Sequence, residues 1–232
     1  MQENNNDTNK AYEKVIVYIK NQIVTGALQQ GENLPPERDL AKELGVSRNS
    51  VREALRTLAV IGIITSTQGA GNTISCNFEK SLINTMSMMM LMQKISYQQL
   101  NELRCGLEEQ AIALCINKIT FEEIASLEKT VQELQESQSQ SLSASLDKKL
   151  HDTIATASGN QLIIAILQVL SGVMERAISE ARIQISSKVL ETTELQNIHA
   201  RIVNEIKNNN KEKAQAALWD HYAFLRKHHF VF

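Results

Sequence analysis

The chain has 232 residues, with 24 Lys and Arg against 26 Asp and Glu and a hydrophobic content of 43%, the profile of a folded globular protein with one large domain or two smaller ones. No run approaches the roughly 18 uninterrupted apolar residues of a membrane span, and the polar, acidic start Met1-Gln2-Glu3-Asn4 does not read as a signal peptide, so no membrane partner is expected. Cys76, Cys105 and Cys115 form no C-x-x-C pair, which argues against a disulfide framework or a thiolate zinc site and for a reducing cytoplasm. The net charge of -2 excludes a globally basic nucleic-acid binder, so any DNA affinity must come from locally placed cations.

Residues 1–10 read as a polar tail. Turn punctuation is concentrated before residue 78, where both prolines and six of the nine glycines fall. A first helix is expected from about Ala11 to Thr25, with Val15, Ile16, Ile19 and Ile23 on one face and Gly26 as its stop. A second begins at Pro35-Pro36, where a missing N–H costs nothing in the first turn, and ends at Gly45. A third has Ser47 as N-cap, turns Val51, Leu55 and Leu58 inward and ends near Gly62. Two β-prone runs, Ile63 to Ser66 and Asn72 to Ser75, flank Gln68-Gly69-Ala70-Gly71, whose glycines permit the positive φ of a tight turn. Three helices followed by a hairpin is the order of a winged helix-turn-helix, assigned to residues 11–77.

The third helix carries Arg48, Arg52 and Arg56 at a spacing of four, so their guanidiniums share one face. From Ser47 to Leu58 there are three Arg against one Glu, a local charge of +2 on a chain that is negative in total. Arginine forks suit phosphate oxygens and the O6/N7 edge of guanine, and the first turns of a recognition helix enter the major groove, which favours Arg48 and Arg52 over Arg56 as base readers. A solvated charged face is the alternative reading of the same pattern.

From residue 78 to 232 there is no proline, and apolar residues recur at helical spacing, as in Leu100, Leu103, Leu107, Ala111 and Leu114, and again from Ile163 to Met174. This region reads as an all-α helical bundle, which makes the whole chain mainly α. Met86, Met88, Met89, Met90 and Met92 suit either soft-metal ligation or, more naturally, a helix filling an irregular core. Gln135 to Ser145, rich in Ser and Gln, reads as a polar helix end and loop.

All five histidines lie in this region. Asp147 and His151, four apart, point from one helical face, a spacing suited to two ligands of one metal. Asn208-Asn209-Asn210 breaks the helical pattern about midway between His199 and His221, so an antiparallel hairpin would bring those two to the same level. Three imidazoles and one carboxylate suit a divalent ion such as Zn, Ni or Mn, with open positions for water or a small carboxylate. Each histidine alone reads more readily as a hydrogen-bonded or surface residue than as a ligand; it is the agreement of four positions that reverses the preference. His228 and His229 have no partner at useful spacing.

Leu34-Pro35-Pro36-Glu37-Arg38-Asp39-Leu40-Ala41, Leu44-Gly45-Val46-Ser47-Arg48, Val51-Arg52-Glu53-Ala54-Leu55 and the Gly69/Gly71 hairpin closely resemble the DNA-binding domain of GntR-type bacterial transcription regulators. The resemblance implies that Arg38, Arg48 and Arg52 contact the operator, with Ser47 and Asn49 at the start of the reading helix and Gln68, Gly69 and Gly71 at the wing. The helical region resembles the effector-binding FCD domain of the FadR-like branch, through Asp147-Lys148-Lys149-Leu150-His151, Ala157-Ser158-Gly159-Asn160, His199-Ala200-Arg201-Ile202 and Leu218-Trp219-Asp220-His221. That resemblance implies Asp147, His151, His199 and His221 as metal ligands. A further family feature, Arg104 followed by Glu108, makes Arg104 a candidate clamp for an organic-acid effector, or one half of an internal salt bridge.

The expectation is a non-enzymatic, homodimeric repressor that binds a palindromic double-stranded operator and responds to a small carboxylate held at a metal. The competing expectation is a metalloenzyme with an accessory DNA-binding domain, since a metal with open positions can activate water. No general base stands beside the ligands to support it, and no catalytic residue is assigned. A third reading makes the metal wholly structural.

Overall fold

The two helices that read as a helix-turn-helix are joined by a left-handed glycine. Gly45, at φ 64, caps α2 (Glu37–Leu44), and Ser47 opens α3 (Arg48–Ile61) by accepting a hydrogen bond from the Ser50 amide. Pro36 stands at the N-cap of α2, one position before the helix, where its absent N–H is harmless. The computed structural model describes residues 3–67, 69, 71–179, 184–185, 193–227 and 230–231. The chain divides into two units, Met1–Leu82 and Ile83–Phe232.

In the first unit α1 (Glu3–Val24) packs on α3. It starts well before Ala11, within the stretch that the sequence presents as a polar tail. No Pro or Gly interrupts that stretch, and once packing of Val15 and Ile19 nucleates the helix, each added residue gains a backbone hydrogen bond. Val15, Ile19, Leu40, Val51, Ala54, Leu55, Leu58, Ile64 and Ile74 form one core. Ile23, expected on the inward face, is 36% exposed near the C-terminal end of α1.

Strands β1 (Ile64–Thr67) and β2 (Gly71–Ile74) pair antiparallel, with Ile64 opposite Ile74 and both turned into the core. Residues 31–34 lie against the outer edge of β2. The Gly31 and Leu34 amides donate to the Ile74 and Asn72 carbonyls, and Asn33 bridges Thr73. Periodicity is silent on this short segment because a two-residue edge contact has no pattern to read.

The second unit is built from α4 (Glu79–Gln93, its start in the first unit), α5 (Tyr97–Cys115), α6 (Phe121–Glu136), α7 (Gln140–Ala157), α8 (Gln161–Ser179), α9 (Thr193–Lys207) and α10 (Lys211–Lys227). Reciprocal capping boxes start α5 (Ser96 with Gln99) and α6 (Thr120 with Glu123). The Ser/Gln-rich stretch is mostly helix: α6 runs to Glu136 and Ser139 caps α7, which leaves a three-residue link, 137–139. Asn209, at φ 55, turns the chain between α9 and α10, whose faces pack together. Helix α5 packs on α7, α8 and α10, and α6 on α7 and α9.

Ile112, Leu127, Leu134, Leu150, Ile154, Ile202, Ile206 and Leu218 make the main core of this unit, each full burial contributing roughly 1.5–3 kcal/mol. Met90 sits in a second cluster with Leu100, Val169, Leu170, Val173 and Met174, while Met88 and Met92 are exposed. Leu103, expected on the buried face of its helix, is half exposed. Residues 184–185 pair antiparallel with 230–231. Among the described residues no helix is long and apolar enough to cross a membrane.

Gly62 follows α3 at φ 93, and a Cβ there would lie 2.2 Å from the Asn77 carbonyl oxygen, whereas Gly26, at φ 73, has open space around the same position. Gly62→Ala is therefore expected to cost more than about 2 kcal/mol, from backbone strain plus a clash that backbone must relieve, and Gly26→Ala only about 1 kcal/mol. Urea unfolding of the two variants beside wild type measures both; equal costs would contradict the close packing at Gly62.

Candidate metal centre and nucleic-acid interface

Helix α7 presents Asp147 and His151 one turn apart, α9 contributes His199, and α10 contributes His221 from across the Asn209 turn. The four residues each offer a ligand atom, all within 4.8 Å of one another. His199 Nε2 lies 3.0 Å and His151 Nε2 3.9 Å from Asp147 Oδ1. The His221 ring centroid is 4.8 Å from that of His151 and 4.9 Å from that of His199. All three histidines are buried, at 5% exposure or less.

Buried polar atoms are ordinarily hydrogen-bonded. Here Asp147 Oδ1, His151 Nε2, both ring nitrogens of His199 and His221 Nδ1 are buried without a hydrogen-bond partner of proper geometry. Orphaned donors on four residues whose ligand atoms lie within 4.8 Å of one another are what a cation would satisfy, and a mixed nitrogen and oxygen donor set without sulfur suits a borderline divalent ion. The residues present therefore fit a metal.

Electrostatics points the same way. Burial alone would push the Asp147 carboxyl up, but His199, His151 and His221 together hold it well below the usual carboxylate range. Burial, reinforced by repulsion from His151 and His199, pushes His221 far down, so it is neutral, the state a ligand requires.

Beside this cluster, on α5, sits Glu108, 3% exposed. Its Oε2 is 2.7 Å from His151 Nδ1, and its Oε1 accepts a hydrogen bond of 3.2 Å from Arg104 Nη2. Burial raises the Glu108 carboxyl, but His151 and Arg104 outweigh it and bring it down to about 2. The salt bridge that the sequence offered as an alternative for Arg104 is thus formed, while Arg104 Nε remains buried and without a partner. Tyr222, adjacent to His221 on α10, is also buried, with its hydroxyl beside the Glu108 carboxylate, and its ring meets that of His221 edge-on at 5.1 Å. Sequence reading saw Glu108 only as the partner of Arg104 and missed Tyr222. Neither contact with the cluster could be foreseen, because the register of α5 against α7 and α10 is a tertiary property.

In the first unit the residues expected to meet DNA lie on the surface: Arg38, Ser47, Arg48, Asn49, Arg52, Gly69 and Gly71 are all exposed or at the exposed hairpin end, and Arg56 continues the exposed face of α3. Arg38 pairs with its neighbour Asp39 at 3.1 Å. Arg52 donates through Nε and Nη2 to one oxygen of Glu37, at 3.2 and 3.0 Å, which joins the two helices of the helix-turn-helix across their outer face. Gln68 lies outside the described residues.

Comparison with known proteins accounts for both halves. Residues 11–74 match the family of bacterial regulatory proteins called the gntR family, and residues 99–224, which hold the whole cluster together with Arg104 and Glu108, match the FCD domain. The chain belongs to the GntR family, with the FadR-like FCD architecture. It is 30% identical over 202 residues to the HTH-type transcriptional regulator LutR of Bacillus subtilis, covering 86% of this chain and 92% of that protein. It is 27% identical over 221 residues to the Glc operon transcriptional activator of Escherichia coli, covering 93% and 87%. Among solved structures, Streptococcus agalactiae GntR superposes with a TM-score of 0.67 at 26% identity, covering 93% of this chain and 99% of that one.

This GntR-family chain is accordingly a DNA-binding transcription regulator with an FCD effector domain. Its relatives are regulators and not enzymes, so the metalloenzyme reading of the cluster falls away.

Cys105, next to Arg104, is buried and its thiol pushed up to about 11 by desolvation and nearby Glu108 and Glu109, while burial takes Cys115 up to about 12; Cys76 is exposed. Because the thiolate is the reactive form, a disulfide-exchange reagent at pH 8 should titrate one fast thiol per native chain and three after denaturation. Three fast thiols in the native protein would contradict the burial of α5.

Proposed function

We propose that this regulator is a cytoplasmic homodimeric repressor whose operator binding is controlled by a small carboxylate held at a divalent metal in the FCD domain. The observation that carries the reading is the group of buried, partnerless donor atoms on Asp147, His151, His199 and His221. Those four residues would hold the ion, with Zn first and Ni or Mn as alternatives.

Charge explains why an acid effector would need it. With the imidazoles neutral, as metal ligands must be, Asp147 and Glu108 contribute two negative charges and Arg104 one positive, a net of −1 before the ion is counted. A divalent ion reverses that sign to +1 and supplies the positive charge a carboxylate requires. Arg104 is the second attachment point: its Nε is buried, unpartnered and able to donate to a carboxylate oxygen, while Nη2 stays on Glu108.

At the other end of the chain, Arg38, Arg48 and Arg52 supply the forks for phosphate and guanine contacts, Ser47 and Asn49 the polar start of the reading helix, and Gln68, Gly69 and Gly71 the wing. A two-fold dimer presents two such heads, and its operator is then a palindrome. In this reading effector binding relieves repression. Release of DNA requires that the effector bind one arrangement of the heads more tightly than the other, which makes the coupling reciprocal: operator DNA weakens effector binding by the same factor.

Metal analysis of purified wild type beside His151→Ala/His199→Ala tests the site. Near one divalent ion per chain, lost in the variant, is the expected result; a metal-free wild type even after reloading would remove the metal-held effector. With the metal-loaded protein, small carboxylates are then screened for release of an operator obtained by selection from random DNA. Arg104→Ala should weaken binding of an active acid by about 2 kcal/mol, roughly thirtyfold; unchanged affinity in calorimetry would exclude the clamp.

A further inference from the structure

The geometry points to Glu108 as a positioning residue that fixes the tautomer and orientation of His151, so that Nε2 of that ring is the nitrogen offered to the cluster. The inference rests on the metal-site reading and adds to it a residue that binds no metal itself.

A neutral imidazole carries one N–H, and which nitrogen keeps it depends on the neighbour of the other. At His151 the two sides differ completely. Nδ1 stands 2.7 Å from Glu108 Oε2, close enough that a proton belongs between them although the contact is bent away from ideal hydrogen-bond geometry, whereas Nε2 is buried, without a partner, and 3.9 Å from Asp147 Oδ1. The proton therefore belongs on Nδ1 and the free lone pair on Nε2. His199 Nε2 also lies 3.0 Å from a carboxylate oxygen, Asp147 Oδ1, but that carboxylate belongs to the candidate ligand set, whereas Glu108 stands outside it.

Glu108 is itself held. At 3% exposure it cannot turn to water, and its two oxygens are divided, one towards Arg104 Nη2 at 3.2 Å and the other towards His151 Nδ1. Both donors are needed to offset the desolvation of a buried carboxylate. The arrangement also brings α5 into a site whose four candidate ligands lie on α7, α9 and α10. Supporting carboxylates of this kind orient ligating histidines and raise their basicity, and their loss typically costs 10- to 100-fold in metal affinity.

A glutamine in this position has the same shape but one acceptor oxygen, so it must turn an N–H towards either Arg104 or His151. Glu108→Gln in the full-length protein is thus the direct test, with Zn²⁺ affinity measured by competition against a chromophoric chelator and the visible absorption of the Co²⁺-loaded protein as the readout of ligand geometry. Zn²⁺ binding 10- to 100-fold weaker than wild type, with an altered Co²⁺ band, is expected. Because Gln leaves the Arg104 guanidinium buried without its carboxylate and can still turn its oxygen to His151, a second comparison is made between Arg104→Met and Arg104→Met/Glu108→Leu, where no such charge remains and no acceptor faces His151 Nδ1, and the double variant should bind at least tenfold more weakly than the single. Affinity within twofold and an unchanged Co²⁺ band in the second comparison would overturn the role of Glu108 while leaving the metal site intact. A wild type that binds neither ion overturns both the role and the site.

Discussion

The second unit is organised around a cost. A carboxylate and three imidazoles, with their ligand atoms within 4.8 Å of one another, sit inside a helical bundle where several of their polar atoms have no partner. Each orphaned buried group is worth roughly 1–3 kcal/mol against folding, which is comparable with the gain from burying a leucine. The apolar shell answers that demand locally. Leu150 precedes His151 and is fully buried, Ile202 and Val203 follow His199 by one turn, and Leu218 and Tyr222 flank His221, so every donor is carried on a helix turn that is anchored by core contacts. The donors are consequently preorganised, and a ligand entering the site has little ordering left to do.

The two units differ in how much of them can be read from the chain, for a physical reason. In the front unit each element is marked by local chemistry: Gly45 and Gly62 at helix ends, Ser47 as a cap, glycines at the wing. Signals of that kind act within four residues and survive without tertiary information. In the helical unit Asp147 and His151 are linked by the helical repeat, and His199 with His221 by equal distances from the Asn209 turn, so the four candidate donors were legible as well. What escaped depends on contacts between helices that periodicity does not address. Glu108 meets His151 because α5 and α7 pack in one particular register, and Tyr222 joins them from α10.

The same limit explains the smaller discrepancies. The apolar repeat on α5 places Leu100 and Ala111 inside but leaves Leu103 half exposed, since a stripe drawn through five positions is wider than the face that the neighbouring helices cover. Five methionines in seven residues say nothing of which ones are covered, and on α4 it is Met90 that enters the cluster around Leu170 and Val173, as expected of a flexible side chain filling an irregular gap. The polar start of α1 belongs to the helix because continuing an existing helix is cheap even for residues that would never begin one.

Arg104 shows why an internal salt bridge and a ligand clamp need not be rival readings of one residue. A guanidinium has five N–H donors; one of its nitrogens is engaged by Glu108 and another, Nε, faces no acceptor. The Glu108 carboxylate that engages it also lies against a candidate metal ligand, so a change at either end of the chain Arg104, Glu108, His151 alters the field at the other. In the proposed mechanism an arriving carboxylate would share Arg104 with Glu108, taking Nε while Nη2 stays on Glu108, and the ion would compensate the second negative charge. Effector affinity and ligand positioning would then share one carboxylate, which is a coupling free energy between neighbouring groups in the strict sense. It is transmitted through a single buried side chain, Glu108, which faces Arg104 with one oxygen and His151 with the other.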